Sequence, residues 1–153
     1  GYPLNIVWLF ISFLVTRLIF VVFSSLILII ISFYLFDFLP NFIVLIRYFI
    51  GVIVGFSIYS LFALTISFYG IEDNKDQGIL SIFYFLSIFL ADAFFVISKI
   101  NMTFDLISYL FPLKVILQFM RGDNMAFIYS LLWLAIAFLV FYIKINKIQL
   151  KRL

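Results

Sequence analysis

From Ile6 to Phe36 the chain is apolar on every helical face, and Arg17 is its only charged residue. A helix that is hydrophobic all round must lie in the core of a large protein or in a bilayer. The bilayer reading agrees with the rest of the sequence. It is 67% hydrophobic and 11% charged, whereas a soluble domain has about half apolar and a quarter charged residues. Mean hydropathy is +1.32. At roughly 20 apolar residues per crossing, there is room for about four or five helices and no separate soluble domain.

The first run exceeds the length of one crossing, and two forms satisfy it. One is a short amphipathic approach, Leu4 to Thr16, followed by a span from Leu18 to Phe36. The other is one long helix, tilted or projecting from the bilayer. Arg17 can snorkel to an interface in either. The stretch "DFLPN", Asp37 to Asn41, combines Asp, Pro and Asn and predicts a turn. A second span follows from Phe42 to Tyr69, with Arg47 near its start. Gly51 and Gly55 stand at GxxxG spacing, which lets two helix backbones approach closely in lipid. "GIEDNKDQG", Gly70 to Gly78, is the most polar stretch and predicts a water-exposed loop.

The third apolar run, Ile79 to Ser98, predicts a span with Asp92 inside it. An ionisable group in lipid marks a functional candidate, and Lys99, about two turns on, offers a structural partner. Arg47 is a further candidate partner on the same side. The next segment, Lys99 to Asn124, holds apolar pieces of about 10 to 14 residues, the length of re-entrant or interfacial helices. Pro112 lies in its middle beside Tyr109 and Phe111. Proline forces a break and draws the preceding residue away from helical dihedrals. Broken backbone at membrane depth must be buried in protein or line a cavity. Met125 to Ile143 is the last span, and "KINKIQLKRL" closes the chain with a basic cluster. By the positive-inside rule this end is cytoplasmic. Alternation puts the Gly70–Gly78 loop on the same side and the "DFLPN" turn and the Lys99–Asn124 region outside.

These readings define an all-α fold. It is a polytopic membrane helix bundle of about four full spans, with short re-entrant or interfacial helices before the last, in a single transmembrane domain over residues 1–153. Several chemistries are excluded. With neither Cys nor His in the sequence, it has no disulfide, no Cys/His zinc site and no His base or haem ligand. It carries no phosphate-binding loop and no nucleophile signature, so the expectation is a non-enzyme without cofactor or metal. Nothing points to nucleic acid. One buried acid without a second carboxylate or His in another span makes a poor proton relay.

The order of the pieces resembles the last four spans of a type-2 ABC exporter permease. Tyr2, Pro3 and Leu4 match the turn that precedes a long span in that family. Ile107, Ser108, Tyr109, Pro112 and Leu113 match the segment between its last two spans, part of a pair of short re-entrant helices. The family carries two further spans ahead of the first turn, so the resemblance implies that Tyr2-Pro3 is an internal turn of a longer chain. Its Gly-aromatic-Pro pattern after the penultimate span has no counterpart in "ADAFFVISKINM". The resemblance implies a transport subunit in a bacterial cell membrane, paired with a second permease copy or homologue. Separate ATPase subunits would meet Tyr2, Pro3, Glu72, Asp73, Lys75 and Asp76. Asp92, Tyr109, Pro112, Gly51 and Gly55 would be gate or packing positions. From composition alone, a small structural subunit of a larger membrane complex, of the organelle-encoded kind, stands beside this reading.

Overall fold

The computed structural model describes residues 6–37, 40–67, 75–94 and 96–150. Tyr2, Pro3, Glu72, Asp73, Lys151 and Arg152 lie outside the described residues, and so does most of the Gly70–Gly78 loop. The described residues form helices and turns only: α1 (Ile6–Phe36), α2 (Phe42–Ser67), α3 (Lys75–Leu90), a 3-10 turn (Ile97–Lys99), α4 (Met102–Ser108), α5 (Pro112–Met120) and α6 (Asn124–Leu150).

Among the described residues, three helices are long and apolar enough to cross a membrane, Ile11–Phe36, Phe42–Ser67 and Asn124–Asn146, and the bent pair α4–α5 makes a fourth if it is counted as one broken span. The first run is therefore one unbroken helix of 31 residues, about 46 Å long, and its two sequence readings resolve in favour of the single rod. It ends at Asp37, whose φ of 54° is left-handed and whose N–H donates to the Phe33 carbonyl at 3.0 Å. Asp tolerates this conformation better than most residues. α2 returns after this turn and packs against α1.

The third run differs from the span expected over Ile79–Ser98. α3 stops at Leu90 after 16 residues, about 24 Å, short of a hydrocarbon core of about 30 Å. Asp92 therefore lies beyond the helix and not within it. α4 and α5 are bent against each other by 94°. Pro112 takes the first position of α5, where its missing N–H costs nothing, and Phe111 before it is extended (φ −108°, ψ 122°). The break at Pro112 is where the sequence places it.

α5 docks between α2 and α6, and these three helices make the core. One cluster joins Ile58, Leu61, Ile116 and Ala137, and another joins Val115, Phe119 and Ala126. The two glycines of α2 face α5. A Cβ on Gly51 would lie 2.4 Å from Met120 Cε, and one on Gly55 would lie 3.3 Å from Ile116 Cδ1. The GxxxG face thus receives a short helix and not a full span. These contacts also give the depth of α5. Met120 stands beside Gly51, Ile116 beside Gly55, and the Phe111 ring reaches Phe83, which in turn meets Tyr59. Tyr59 is 12 residues past Arg47, about 18 Å along α2. The α4–α5 bend thus sits well inside the bundle.

α5 ends in a Schellman motif. Asp123 N–H donates to the Gln118 carbonyl and Gly122 N–H to that of Phe119, each at 3.0 Å. Gly122 has φ +117°. The Asp123 carboxylate then accepts from Met125 N–H at 2.9 Å and starts α6. Replacing Gly51 by Leu is expected to destabilise the bundle by about 1–3 kcal/mol through overpacking. Gly78→Ala, at a position with nothing within 4 Å, is expected to leave stability unchanged or raise it by up to about 1 kcal/mol. Thermal unfolding in detergent compares the two.

Candidate functional site

The turn after α3, α4 and the start of α5 each contribute one charged side chain to a single cluster. Asp92 takes a left-handed conformation with φ 57°. Its Oδ1 accepts the Ile97 N–H at 2.9 Å, which ties the loop after α3 to the 3-10 turn. Asp side chains that bond nearby backbone favour turns over helix interiors, and this is the local reason α3 stops early. α4 begins at Asn101, whose Oδ1 accepts the Thr103 N–H at 2.8 Å, and it places Asp105 in its first turn. Lys114 is the third residue of α5.

The Lys114 ammonium lies 3.2 Å from Asp92 Oδ2 and donates a hydrogen bond to Asp105 Oδ1. The Tyr109 ring centroid is 5.0 Å from Lys114 Nζ. Two carboxylates and an aromatic face thus surround a group that carries three donors. Lys114 is fully buried, while the Asp92 and Asp105 side chains are 9% and 21% exposed. The cluster has a neighbouring second cation. Arg121 donates to the Asp92 main-chain carbonyl oxygen at 2.6 Å, a contact with the backbone and not with a carboxylate. Tyr109 is positioned across the bend by Gln118 Nε2, which donates to its hydroxyl at 3.0 Å. Ser108, fully buried, donates to the Asp105 carbonyl.

Two expected pairings are therefore corrected. Asp92 pairs with Lys114 and not with Lys99, because the chain turns after α3 and carries Lys99 to an exposed place on the 3-10 turn. Arg47 does not reach Asp92; it donates to Asn124 Oδ1 at 3.0 Å and so joins α2 to the start of α6. Tyr109 and Pro112 do fall at the cluster. Gly51 and Gly55 support α5 from behind. Lys75 and Asp76 open α3 at its opposite end. Sequence reasoning singled out neither Lys114 nor Asp105. The signal available was a lysine inside the apolar run "PLKVILQF".

The cluster offers no nucleophile with an adjacent base, and no group of three or more His, Cys, Asp or Glu able to hold a metal occurs among the described residues. Its chemistry is electrostatic: it fixes α3, α4 and α5 relative to one another. No protein-family model, curated protein or solved structure matches this chain.

Lys114→Met removes the cation and leaves two carboxylates together in an apolar site. The expected loss is about 3–5 kcal/mol. Combining it with Asp92→Asn and Asp105→Asn is expected to restore most of that loss, since neither carboxylate is then left without the lysine. Unfolding in detergent measures both; a Lys114→Met change within 1 kcal/mol of the parent would show that the cluster carries little stability.

Proposed function

We propose that the chain is a transmembrane permease subunit of an ATP-driven exporter, forming a substrate path as a dimer with separate ATPase subunits. The observation that carries this reading is the α4–α5 pair. It is a short helical hairpin bent by 94° at Pro112, seated within the bundle directly before the last membrane-length helix. The resemblance to type-2 ABC exporter permeases implies a re-entrant pair at this place.

The arrangement suggests how force would pass. α3 is a rod with Lys75 and Asp76 at one end and, two residues beyond Leu90, Asp92 at the other. ATPases docked on the Glu72, Asp73, Lys75 and Asp76 side would push or rotate α3. That motion would arrive at the Lys114 ammonium, which holds α5. The hairpin would act as the element moved at the far side of the membrane, with the C-terminus and the ATPases on the cytoplasmic side. Substrate would cross between two such subunits. ATP hydrolysis belongs to the partner, since this chain carries no nucleotide-binding motif.

Affinity purification of the tagged protein from its native membranes is the test. The expected outcome is a co-purifying protein with a phosphate-binding loop and ATP hydrolysis by the reconstituted complex. The double charge reversal Glu72→Lys and Asp73→Lys should lower its recovery roughly tenfold, about 1.4 kcal/mol, without changing helix content. Recovery only within a larger assembly that has no such ATPase would favour the structural-subunit reading and overturn this one.

A further inference from the structure

A cleft of about 900 Å³ opens between α1 and α2, on the side of the bundle away from α5. Its walls run from Phe13 to Leu28 on α1 and from Phe56 to Ser67 on α2. At the helical rise these stretches are roughly 22 and 16 Å long, the depth of one leaflet of a bilayer whose core is about 30 Å. The walls are mostly apolar. Ser24, Ser25 and Ser67 donate their hydroxyls to the Phe20, Val21 and Ala63 carbonyls at 2.8, 2.8 and 2.9 Å, so these three small side chains widen the cleft without presenting free donors to it, and Ser60 adds one hydroxyl to the α2 wall.

Arg17 is the charged residue of this wall. It lies 19 positions before the end of α1 at Phe36, about 28 Å, which places it at headgroup level when Leu18–Phe36 fills the hydrocarbon core. Its guanidinium lies 5.1 Å from the Phe13 ring centroid, and no carboxylate pairs with it among the described residues. Neither α1 nor α2 contains an acidic residue. We propose that this cleft is a binding site for an anionic phospholipid, with the phosphate on Arg17 and one acyl chain lying along the α1–α2 groove. Charge decides against a second copy as the occupant. A copy packed through the same acid-free helices covers the apolar walls but, among the described residues, brings Arg17 no counter-charge from α1 or α2, whereas a guanidinium and a phosphate form a bidentate, charge-assisted pair. The site stands independently of the transport reading.

The test is native mass spectrometry of the purified protein after reconstitution in equal parts phosphatidylglycerol and phosphatidylcholine. The expected result is about one retained phosphatidylglycerol per chain and little phosphatidylcholine. Arg17→Gln should cut that retention roughly tenfold, the loss of one charge-assisted contact, and Arg17→Lys should keep part of it. Ser24→Phe, which fills the groove from α1, should displace the lipid while leaving Arg17 in place. Equal retention of both lipids, retention unchanged in Arg17→Gln, or disulfide capture of a second copy through Ser24→Cys would each overturn the proposal.

Discussion

A fully buried lysine ammonium in a membrane protein is the constraint on which the centre of this structure depends. A cation at bilayer depth costs about 2.5–3.5 kcal/mol even on lenient insertion scales, so Lys114 cannot be placed until carboxylates are placed with it. They come from two other segments: Asp92 from beyond α3, and Asp105 from α4. α4 has seven residues and α5 has nine, and isolated helices shorter than about 12–15 residues are marginal on their own. The ion cluster therefore acts on elements that have little independent reason to hold their shape. It converts three short pieces into one bent unit.

Apolar packing then fixes that unit in the bundle. In lipid, helices gain little from leaving an apolar solvent and associate through close van der Waals contact and small residues. The α2–α5–α6 core follows this rule. Gly51 and Gly55 on α2 and Ala126 and Ala137 on α6 leave room for Met120, Ile116, Val115 and Phe119 on α5. One face of α5 thus meets glycine and alanine, while Lys114 turns toward the carboxylates. α1, by contrast, leaves most of its side chains exposed, so the firm part of the molecule is the side that holds the hairpin.

The elements set by long-range composition were legible in the sequence. Uninterrupted apolar runs predict α1, α2 and α6, and the Pro112 break predicts the bent pair, because each depends on residues adjacent in the chain. Reading Asp92 inside a span failed for a local reason: hydropathy averages over Ala91–Ser98 without registering that an aspartate can accept the Ile97 N–H and end the helix. Pairing Asp92 with Lys99 failed for a topological one. Sequence proximity favoured a lysine seven positions away, while the turn after α3 brings up Lys114 instead, 22 positions on. Asp105 and Lys114 are nine residues apart across a proline, and only the 94° bend makes them neighbours.

The two arginines of the acid-free helices show how the same side chain can be settled in different ways. Arg47 lies at the end of the bundle where α5 returns to α6. There the chain supplies Asn124 as an acceptor, and Gly122 leaves room: a Cβ at Gly122 would stand 2.9 Å from Arg47 Nη1. A glycine is thus required there twice, once for the left-handed turn that ends α5 and once for the guanidinium lying over it. Arg17 lies at the opposite end of the α1–α2 pair, in the cleft with Phe13 and Ser67, where none of the described residues supplies a carboxylate. Among the described residues, Arg47 is thus held by an acceptor from within the bundle, while Arg17 lines the α1–α2 cleft. The difference follows from topology: the chain turns from α5 into α6 beside Arg47 and brings Asn124 to it.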